Sequence, residues 1–441
     1  MFQLGFCFTN NPKDSIEYMI SYNELLKKNN PFDYIALGFI MKVLGNVAGL
    51  FIHYHIADTI FGVFSWILII KGFSLIPEKL RFPFTGLYSF LFKLYLLVCV
   101  VMIFRGYTND YGYIWFTTIG AINYHLFQPT YLICYLVPFV TMIPIRYFNM
   151  RLLTNYSVLF CVITVVSSLF FWNDIYSNSI NQILSGDMNK TITANVLSFY
   201  NAFAFVALFF KYIPQKKWRY NIVGCFVCLL LMVMGARRGG VALTGLLLFG
   251  ALYFYTLGKN GGSRFIRQIV IAFVVLCVGY FVVTSAISSF LMERGLEDSR
   301  SYVEEAMASQ MNDIEWIFGK GLNGRYYCPL YGDQDDYLNG WRFSMETGFY
   351  NLVLKGGYVM AILYCLLLII PAYKGWFKSN NLFCKAGAFF IGYHLISLKP
   401  FGILSFDPSF FFLWVMIVLC MNDSIRKLND QEIKNKFFSN V

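Results

Sequence analysis

Two adjacent arginines separate two long apolar stretches in the middle of the chain. Arg237 and Arg238 follow residues 222–236 and precede residues 239–258, and neither stretch contains a charged side chain. A guanidinium group offers a rigid fork of donors that matches phosphate or carboxylate oxygens. The pair therefore indicates either an anchor that fixes membrane orientation or a site for an anionic group at a membrane surface.

Further candidate residues lie in the polar segment 291–346. Apolar residues that follow Arg300 keep to one helical face, and Gly319 is a natural helix end, so we expect one helix between these two residues. Free N–H groups at a helix N-terminus favour an anion, and the guanidinium of Arg300 would strengthen that preference. The alternative is that Arg300 only forms an ion pair with Asp298 or Glu304.

Three more side chains in this segment have types suited to sugar chemistry. Glu346 directly precedes an apolar run, where partial loss of water would suit a general base, although helix N-termini also attract acidic residues without a catalytic role. Arg325 and Tyr326 are candidates for contacts to a sugar. Aromatic faces often bind sugar rings, but membrane interfaces are also rich in tyrosine.

The composition indicates a helical membrane protein. Of 441 residues, 58% are apolar and 13% are charged, whereas a soluble domain carries roughly a quarter of charged residues. The formal net charge is +11, but the basic residues lie in short connections between apolar runs, so they indicate no nucleic-acid partner. Nearly all cysteines lie inside apolar runs, and we therefore expect no disulfide framework. Cys225 and Cys228 lie in the middle of a span, and His53 and His55 have no third histidine nearby, so we expect no metal and no cofactor.

The fold class expected from these runs is all-α and integral to the membrane, with about twelve transmembrane helices and one large extracytoplasmic loop. Alternate connections carry the Lys and Arg residues, so the positive-inside rule places those connections and both termini in the cytoplasm. The Arg237–Arg238 turn then faces outward, where orientation alone does not explain two arginines. The predicted spans are residues 34–54, 58–76, 83–104, 126–145, 152–172, 193–213, 220–236, 239–257, 267–290, 347–372, 382–399 and 404–421.

The chain accordingly divides into five parts. They are a cytoplasmic N-terminal segment with an interfacial helix (1–33), helices one to nine (34–290), the large periplasmic loop (291–346), helices ten to twelve (347–421) and a cytoplasmic tail (422–441).

Three lysines and one histidine stand out inside the predicted spans. Lys42, Lys71 and Lys93 lie in the first three, where they either extend to the inner surface or line a groove for a lipid carrier. Lys93 is the deepest and the best candidate for a groove. His394, in the eleventh span, is isolated and is expected to be an ordinary buried histidine with its hydrogen bonds satisfied.

Two phrases of the sequence carry a resemblance to a known family. IFGKGLNG at residues 317–324 and ETGFYNLVLKGG at residues 346–357, together with an arginine at the outer end of a middle span, resemble the O-antigen polymerase and O-antigen ligase superfamily. The resemblance covers roughly residues 220–372. It implies metal-independent, GT-C-like glycosyl transfer from an undecaprenyl-pyrophosphate-linked oligosaccharide at the periplasmic face of the bacterial inner membrane.

The resemblance also implies roles for individual residues. Arg237 or Arg238, together with Arg300, would hold the pyrophosphate. Members of the ligase branch usually begin the last motif with histidine and have glycine eleven residues later. This chain has the glycine, Gly357, but begins the motif with Glu346. That difference favours a Wzy-type polymerase with Glu346 as the base.

Two alternatives remain beside the polymerase. An O-antigen ligase uses the same donor with a different acceptor, and a flippase would carry the lipid-linked oligosaccharide across the membrane. A transporter is expected to show internal repeats and charged residues near mid-membrane, but the sequence has no clear repeat and its polar residues concentrate in one outer loop. The implied partners are the lipid-linked oligosaccharide and membrane lipid, with room for a chain-length regulator protein.

Overall fold

The computed structural model describes residues 30–52, 54–108, 127, 130–177, 191–234, 238–258, 299–329, 340–400 and 404–438. This part of the chain is almost entirely helical and contains one short antiparallel strand pair. The predicted ninth span, residues 267–290, and the predicted N-terminal interfacial helix lie outside the described residues.

The described α-helices follow the apolar runs of the sequence, and short 3₁₀ helices occur at Leu132–Met142, Ile145–Tyr147 and Ala204–Phe209. The strands are β1 (Tyr326–Tyr327) and β2 (Trp341–Arg342). The helices are α1 (Pro31–Ala48), α2 (Tyr54–Ser74), α3 (Gly86–Thr108), α4 (Arg151–Phe170), α5 (Thr191–Asn201), α6 (Gln215–Met234), α7 (Arg238–Gly258), α8 (Ser299–Ala308), α9 (Asp313–Phe318), α10 (Gly348–Phe377), α11 (Leu382–Ser397), α12 (Pro408–Met421), α13 (Asp423–Lys427) and α14 (Asp430–Phe437).

Within the described residues, five helices are long and apolar enough to cross a membrane: Gly86–Arg105, Arg151–Phe170, Gln215–Met234, Gly239–Leu257 and Gly348–Phe377. The expected class, an all-α membrane protein, is thereby confirmed, whereas a count of twelve spans is not. The first and eleventh predicted spans, which contain Lys42 and His394, are not among the five.

Two predicted spans are not continuous α-helices. Most of the stretch predicted at 126–145 is a 3₁₀ helix, Leu132–Met142, with Pro138 inside it; proline lacks the N–H that an α-helix needs at that position. The stretch predicted at 193–213 divides into α5, which ends at Asn201, and a separate 3₁₀ helix.

The core of the bundle is built around α12. Residues 410–420 are all buried, as expected of a helix that is apolar on every side and surrounded by other helices. Aromatic rings fill the space around it: Phe412 stacks on Phe205 with ring centroids 4.3 Å apart, and Phe39 of α1 stacks on Phe406 at the same distance. These contacts fix the relative positions of α1 and the start of α12.

The helix predicted from Arg300 to Gly319 is in fact two helices. The first, α8, ends at Ala308, and α9 begins at Asp313 behind a capping box in which Asn312 and Glu315 exchange hydrogen bonds. The predicted end at Gly319 is confirmed, since its N–H closes the last turn on the Glu315 carbonyl. The capping box ends one helix and starts the next because it satisfies the free N–H groups of α9 locally.

Helix α10 is broken near its start. Gly357 has φ 69° and ψ −176°, which interrupts the helix between residues 348–356 and residues 358–377. The second part is about 30 Å long at 1.5 Å per residue, so it crosses the hydrocarbon core without the first part. Residues 348–356 therefore form a short separate helix that leads from the loop into the bundle.

Candidate functional site

The arginines predicted to bind pyrophosphate lie at the beginnings of two helices. Arg238 is the first residue of α7, and Arg300 is in the first turn of α8, as the sequence predicted. Both side chains, and the whole of Arg237, lie outside the described residues. In both helices an arginine therefore lies at the N-terminus, next to the positive end of the helix dipole.

The two phrases that carry the family resemblance contact each other through their backbones. The N–H of Lys320 donates to the carbonyl of Leu354 (2.8 Å), and the N–H of Gly321 donates to the carbonyl of Lys355 (3.0 Å). The loop after α9 thus forms hydrogen bonds with α10 just before its break. The two phrases are one structural unit.

Glycine is required on both sides of this contact. Gly319 has φ 71°, and a Cβ there would lie 2.4 Å from the backbone of Lys355. Gly357 has φ 69°, and a Cβ there would lie 2.0 Å from the carbonyl oxygen of Ile317. Both the positive φ angles and the close backbone approach exclude a side chain.

A buried lysine closes the unit from the α10 side. Lys355 is 5% exposed, and its ammonium donates to the carbonyls of Leu322 (2.8 Å) and Gly324 (2.9 Å). On the opposite side of the turn, the N–H of Leu322 donates to Met102 of α3 (3.0 Å). The turn is therefore held between α3 and α10.

The sequence analysis did not single out Lys355. The available signal was a charged residue in an otherwise apolar run, directly followed by Gly356 and Gly357. Such a pattern is expected where a helix breaks and its freed polar groups need donors.

The β1–β2 pair places Arg342 opposite Tyr326 and Trp341 opposite Tyr327. Tyr326 is fully buried, and its hydroxyl donates to the Ser344 carbonyl (3.3 Å). Burial raises the pKa of Tyr326, so its phenol is a neutral donor. This burial leaves no ring face of Tyr326 for a sugar, whereas the neighbouring Tyr327 is 44% exposed.

Two arginines flank this strand pair. The guanidinium of Arg325 lies 4.4 Å from the centre of the Trp341 ring in a cation–π contact, and Arg325 is 9% exposed. Arg342 lies 3.5 Å from the carboxylate of Glu346. The Glu346 side chain is 54% exposed. The partial loss of water that the sequence predicted for this carboxylate is therefore not observed.

Lys320 is another buried cation of the loop. It is 6% exposed, and its ammonium is 3.9 Å from the Glu315 carboxylate. Burial lowers the pKa of Lys320, and the nearby carboxylate only partly opposes that effect. The loop segment is acidic in total, yet the described part gathers Lys320, Arg325 and Arg342 within a few residues of the strand pair.

A cavity of about 410 Å³ lies inside the helical bundle, between α1, α5, α6, α7, α11 and the start of α12. Its wall contains Lys42, which is 3% exposed and donates to the Phe127 carbonyl (2.7 Å). The wall also contains His394, whose Nε2 is 3.3 Å from the Ser409 hydroxyl. Hydroxyl and amide side chains make up much of the rest of the lining: Asn46, Thr130, Ser198, Asn201, Thr244, Ser397, Ser405 and Ser409.

The polar residues that line the cavity are only partly those that the sequence indicated. Lys42 lines the cavity, whereas Lys93, the best candidate for a groove from the sequence, is exposed on α3. His394 is half-buried, packs against the Phe390 ring and lines the cavity. Polar side chains several residues apart on different helices have no common sequence signal, so their convergence was not predictable.

The cavity, Arg238 and the entrance to α10 lie at the same end of the bundle. The cavity is lined by Met232, close to the end of α6, and by Gly240, in the first turn of α7 next to Arg238. Ser397 of α11 also lines it, and the next carbonyl, that of Leu398, accepts the N–H of Phe349 in α10 (3.1 Å). Glu346 lies three residues before Phe349.

The described residues contain no group of three His, Cys, Asp or Glu side chains placed to hold a metal ion. The nine cysteines in this part of the chain form no disulfide, and all but Cys365 are buried.

Fold and cavity together define a helical, multi-pass membrane protein with a polar chamber at one end of its bundle. The chain matches no protein-family model, and no curated protein and no solved structure matches it.

Proposed function

We propose that the chain is a Wzy-type polymerase that joins undecaprenyl-pyrophosphate-linked oligosaccharide repeat units at the periplasmic face of the bacterial inner membrane. The observation that best supports this is the backbone contact between residues 317–324 and residues 354–357, because the two phrases of the resemblance form one unit. That unit lies at the same end of the bundle as the polar cavity and Arg238.

The proposed reaction transfers a glycan from one lipid carrier to another. A hydroxyl oxygen of the acceptor glycan attacks the anomeric carbon of the donor, and the bond from that carbon to the pyrophosphate oxygen breaks. The acceptor proton moves to Glu346, and undecaprenyl pyrophosphate leaves with the electron pair. No metal or other cofactor takes part.

Charge on the leaving group is the main electrostatic demand of this reaction. Arg237 or Arg238 at the start of α7 and Arg300 at the start of α8 would stabilise it, with help from the free N–H groups of those helix ends. Arg342 would hold the carboxylate of Glu346 in place, since the two groups are 3.5 Å apart. A glutamate that accepts a proton in the transition state typically contributes about 10²-fold or more to the rate.

A carrier for the same lipid-linked oligosaccharide is the second candidate function. The observation in its favour is Lys42, a buried charged residue that lines a cavity inside the bundle. Transporters commonly place such residues on the path of the substrate. A ligase, which shares the donor, would differ from the polymerase in its acceptor alone.

Purified protein in detergent, supplied with lipid-pyrophosphate-linked repeat units, separates these functions when its products are resolved by size. We expect a ladder of longer glycans with the wild-type chain. The ladder should be lost in Glu346→Gln, in Arg300→Ala and in the double variant Arg237→Ala/Arg238→Ala. It should persist in Arg219→Ala, which removes an exposed arginine at the opposite end of α6.

Two results would contradict the polymerase. A single transfer to a lipid-core acceptor without a ladder would indicate a ligase. Movement of labelled substrate across a vesicle bilayer, without any new glycosidic bond, would indicate a carrier.

A further inference from the structure

The cavity has a lining whose chemistry differs from that of the arginine-bearing helix ends. Among its described lining residues, the side chains that carry or gain a charge are Lys42, Asp407 and His394, one of each type. The carboxyl group of Asp407 accepts the N–H of Phe410 (2.8 Å) and caps α12. The described lining holds one lysine and one aspartate, so it does not gather several cations as a pyrophosphate site requires.

Hydroxyl and carboxamide groups dominate the polar part of the lining. Each of these groups both donates and accepts hydrogen bonds, as the hydroxyl groups of a sugar do. Asn46 and Ser198 already show such a pair across α1 and α5, with the amide donating to the hydroxyl (3.3 Å). Leu243 and Leu247 of α7 supply apolar wall beside these groups. An apolar wall with several placed polar groups is typical of a small-molecule site, and the volume lies in the range of roughly 300–1,000 Å³ for such sites.

Polar groups within a transmembrane bundle need a reason to be there. Helices in the hydrocarbon core lose stability for each polar group that lacks a partner. The polar side chains of this cavity come from separate helices, yet they face the same space. Their position at the end of the bundle that holds Arg238 places them next to the proposed pyrophosphate contacts.

We propose that this cavity binds uncharged sugar residues of the lipid-linked oligosaccharide, and that the pyrophosphate stays outside it at the arginine-bearing helix ends. The inference rests on the proposed function for the identity of the glycan. It assigns Asn201 and Ser405 to the sugar site, two positions that the chemistry of the leaving group does not involve.

Protection of an introduced cysteine tests this placement. Ser405→Cys changes one oxygen to sulfur in the cavity wall, and a charged methanethiosulfonate reagent labels it from water. The labelled peptide is measured by mass spectrometry, so native cysteines do not interfere. The probes are the repeat-unit oligosaccharide released from the cell's own lipid carrier by mild acid, inorganic pyrophosphate and geranyl diphosphate.

We expect the free oligosaccharide to protect Ser405→Cys and the two diphosphates not to protect it. At a glycan concentration about ten times its dissociation constant, roughly a tenth of the sites remain free, so labelling slows about tenfold. Adding Asn201→Leu, which keeps the size but removes the amide, should abolish this protection. Asn155→Leu is the matched control, because Asn155 is an exposed asparagine of α4 outside the cavity, and it should leave the protection unchanged.

Protection by the diphosphates instead of the glycan would overturn the inference and make the cavity a phosphate site. Equal labelling with every probe would overturn it as well, because the chamber would then hold water alone. The wild-type ladder assay tests the proposed function separately. A ladder without glycan protection refutes only the sugar site, and glycan protection without a ladder refutes only the polymerase.

Discussion

The two ends of the helical bundle stabilise their charged groups in different ways. At the end predicted to be cytoplasmic, Asp430 of α14 accepts hydrogen bonds from the Lys211 ammonium (2.5 Å), the Tyr212 hydroxyl (2.5 Å) and the Leu382 N–H (2.7 Å). At the opposite end, which is predicted to face outward and is called the outer end below, Lys355 is buried against backbone carbonyls, and the described residues place no carboxylate within 4.0 Å of its ammonium.

The difference indicates that one end holds helices together and that the other end carries the proposed functional site. Paired charges with several hydrogen bonds hold α14 firmly onto the ends of other helices. The other end instead keeps Lys320, Arg325 and Lys355 buried and leaves the carboxylate of Glu346 half exposed. We therefore expect Asp430 at the predicted cytoplasmic end to act on stability, and Arg342 and Glu346 at the other end to act on glycosyl transfer. Gly357 and Lys355 are exceptions at that end, because they hold the contact between the loop and α10.

Gly357→Ala should have the largest effect. The new Cβ would lie 2.0 Å from the Ile317 carbonyl oxygen, and the positive φ is unfavourable for any other residue. Strain of that kind alone costs about 1–3 kcal/mol, and the clash adds to it. We expect most of the protein to aggregate on size-exclusion chromatography in detergent. Gly392→Ala is the control, since a Cβ there meets nothing within 4 Å; equal behaviour of the two variants would refute the contact.

Lys355→Met should destabilise the chain less strongly. It leaves the carbonyls of Leu322 and Gly324 without their donor, which costs about 1–3 kcal/mol for each buried group, partly offset because a buried ammonium is removed. We expect a net loss of about 2 kcal/mol in unfolding by denaturing detergent. Lys93→Met, at an exposed position of α3, should change the unfolding free energy by less than about 0.5 kcal/mol. A neutral Lys355→Met would mean that the turn is held by other contacts.

Asp430→Asn tests the cytoplasmic end. Burial alone would raise the pKa of Asp430, but hydrogen bonds from Lys211, Tyr212 and Leu382 outweigh it and lower that pKa. A lowered folded-state pKa stabilises the protein above the unfolded-state value of about 3.9, and that contribution is lost as the pH falls from there toward the folded-state value. The variant should lose about 1 kcal/mol at pH 7.

The wild-type chain should also lose stability relative to Asp430→Asn when thermal unfolding is followed from pH 5 downward. Asp174→Asn, at an exposed position, should follow the wild type throughout. If the difference between wild type and Asp430→Asn is the same at every pH, the carboxylate is not the stabilising group.

Much of the helical framework could be predicted from the sequence, because long apolar runs with charged ends have few other stable conformations in a membrane. The run predicted at 152–172 is the helix Arg151–Phe170, and the one at 239–257 is Arg238–Gly258. The end of α9 was predictable for a similar reason, since Gly319 adopts the positive φ that glycine favours.

Features that depend on tertiary contacts could not be predicted in the same way. The Gly-Gly pair at 356–357 is visible in the sequence, but the break at Gly357 depends on the carbonyl of Ile317, which approaches from another element. Asn312 and Glu315 mark the start of α9, but the apolar spacing that continues across them favours a single longer helix. The cavity required the relative placement of several helices, which local periodicity does not contain.

Arg342→Gln should have the smallest effect on stability. It therefore tests most sharply whether the two ends of the bundle differ in role. The Arg342 guanidinium is 3.5 Å from Glu346, whose side chain is 54% exposed, and pairs of this kind are worth about 1 kcal/mol or less. Unfolding in denaturing detergent should therefore be almost unchanged, while polymer formation should fall because the proposed base loses the group that positions it. A large loss of stability would show that the outer strand pair is a structural closure like the cytoplasmic end. Unchanged polymer formation would show that Arg342 does not position the base.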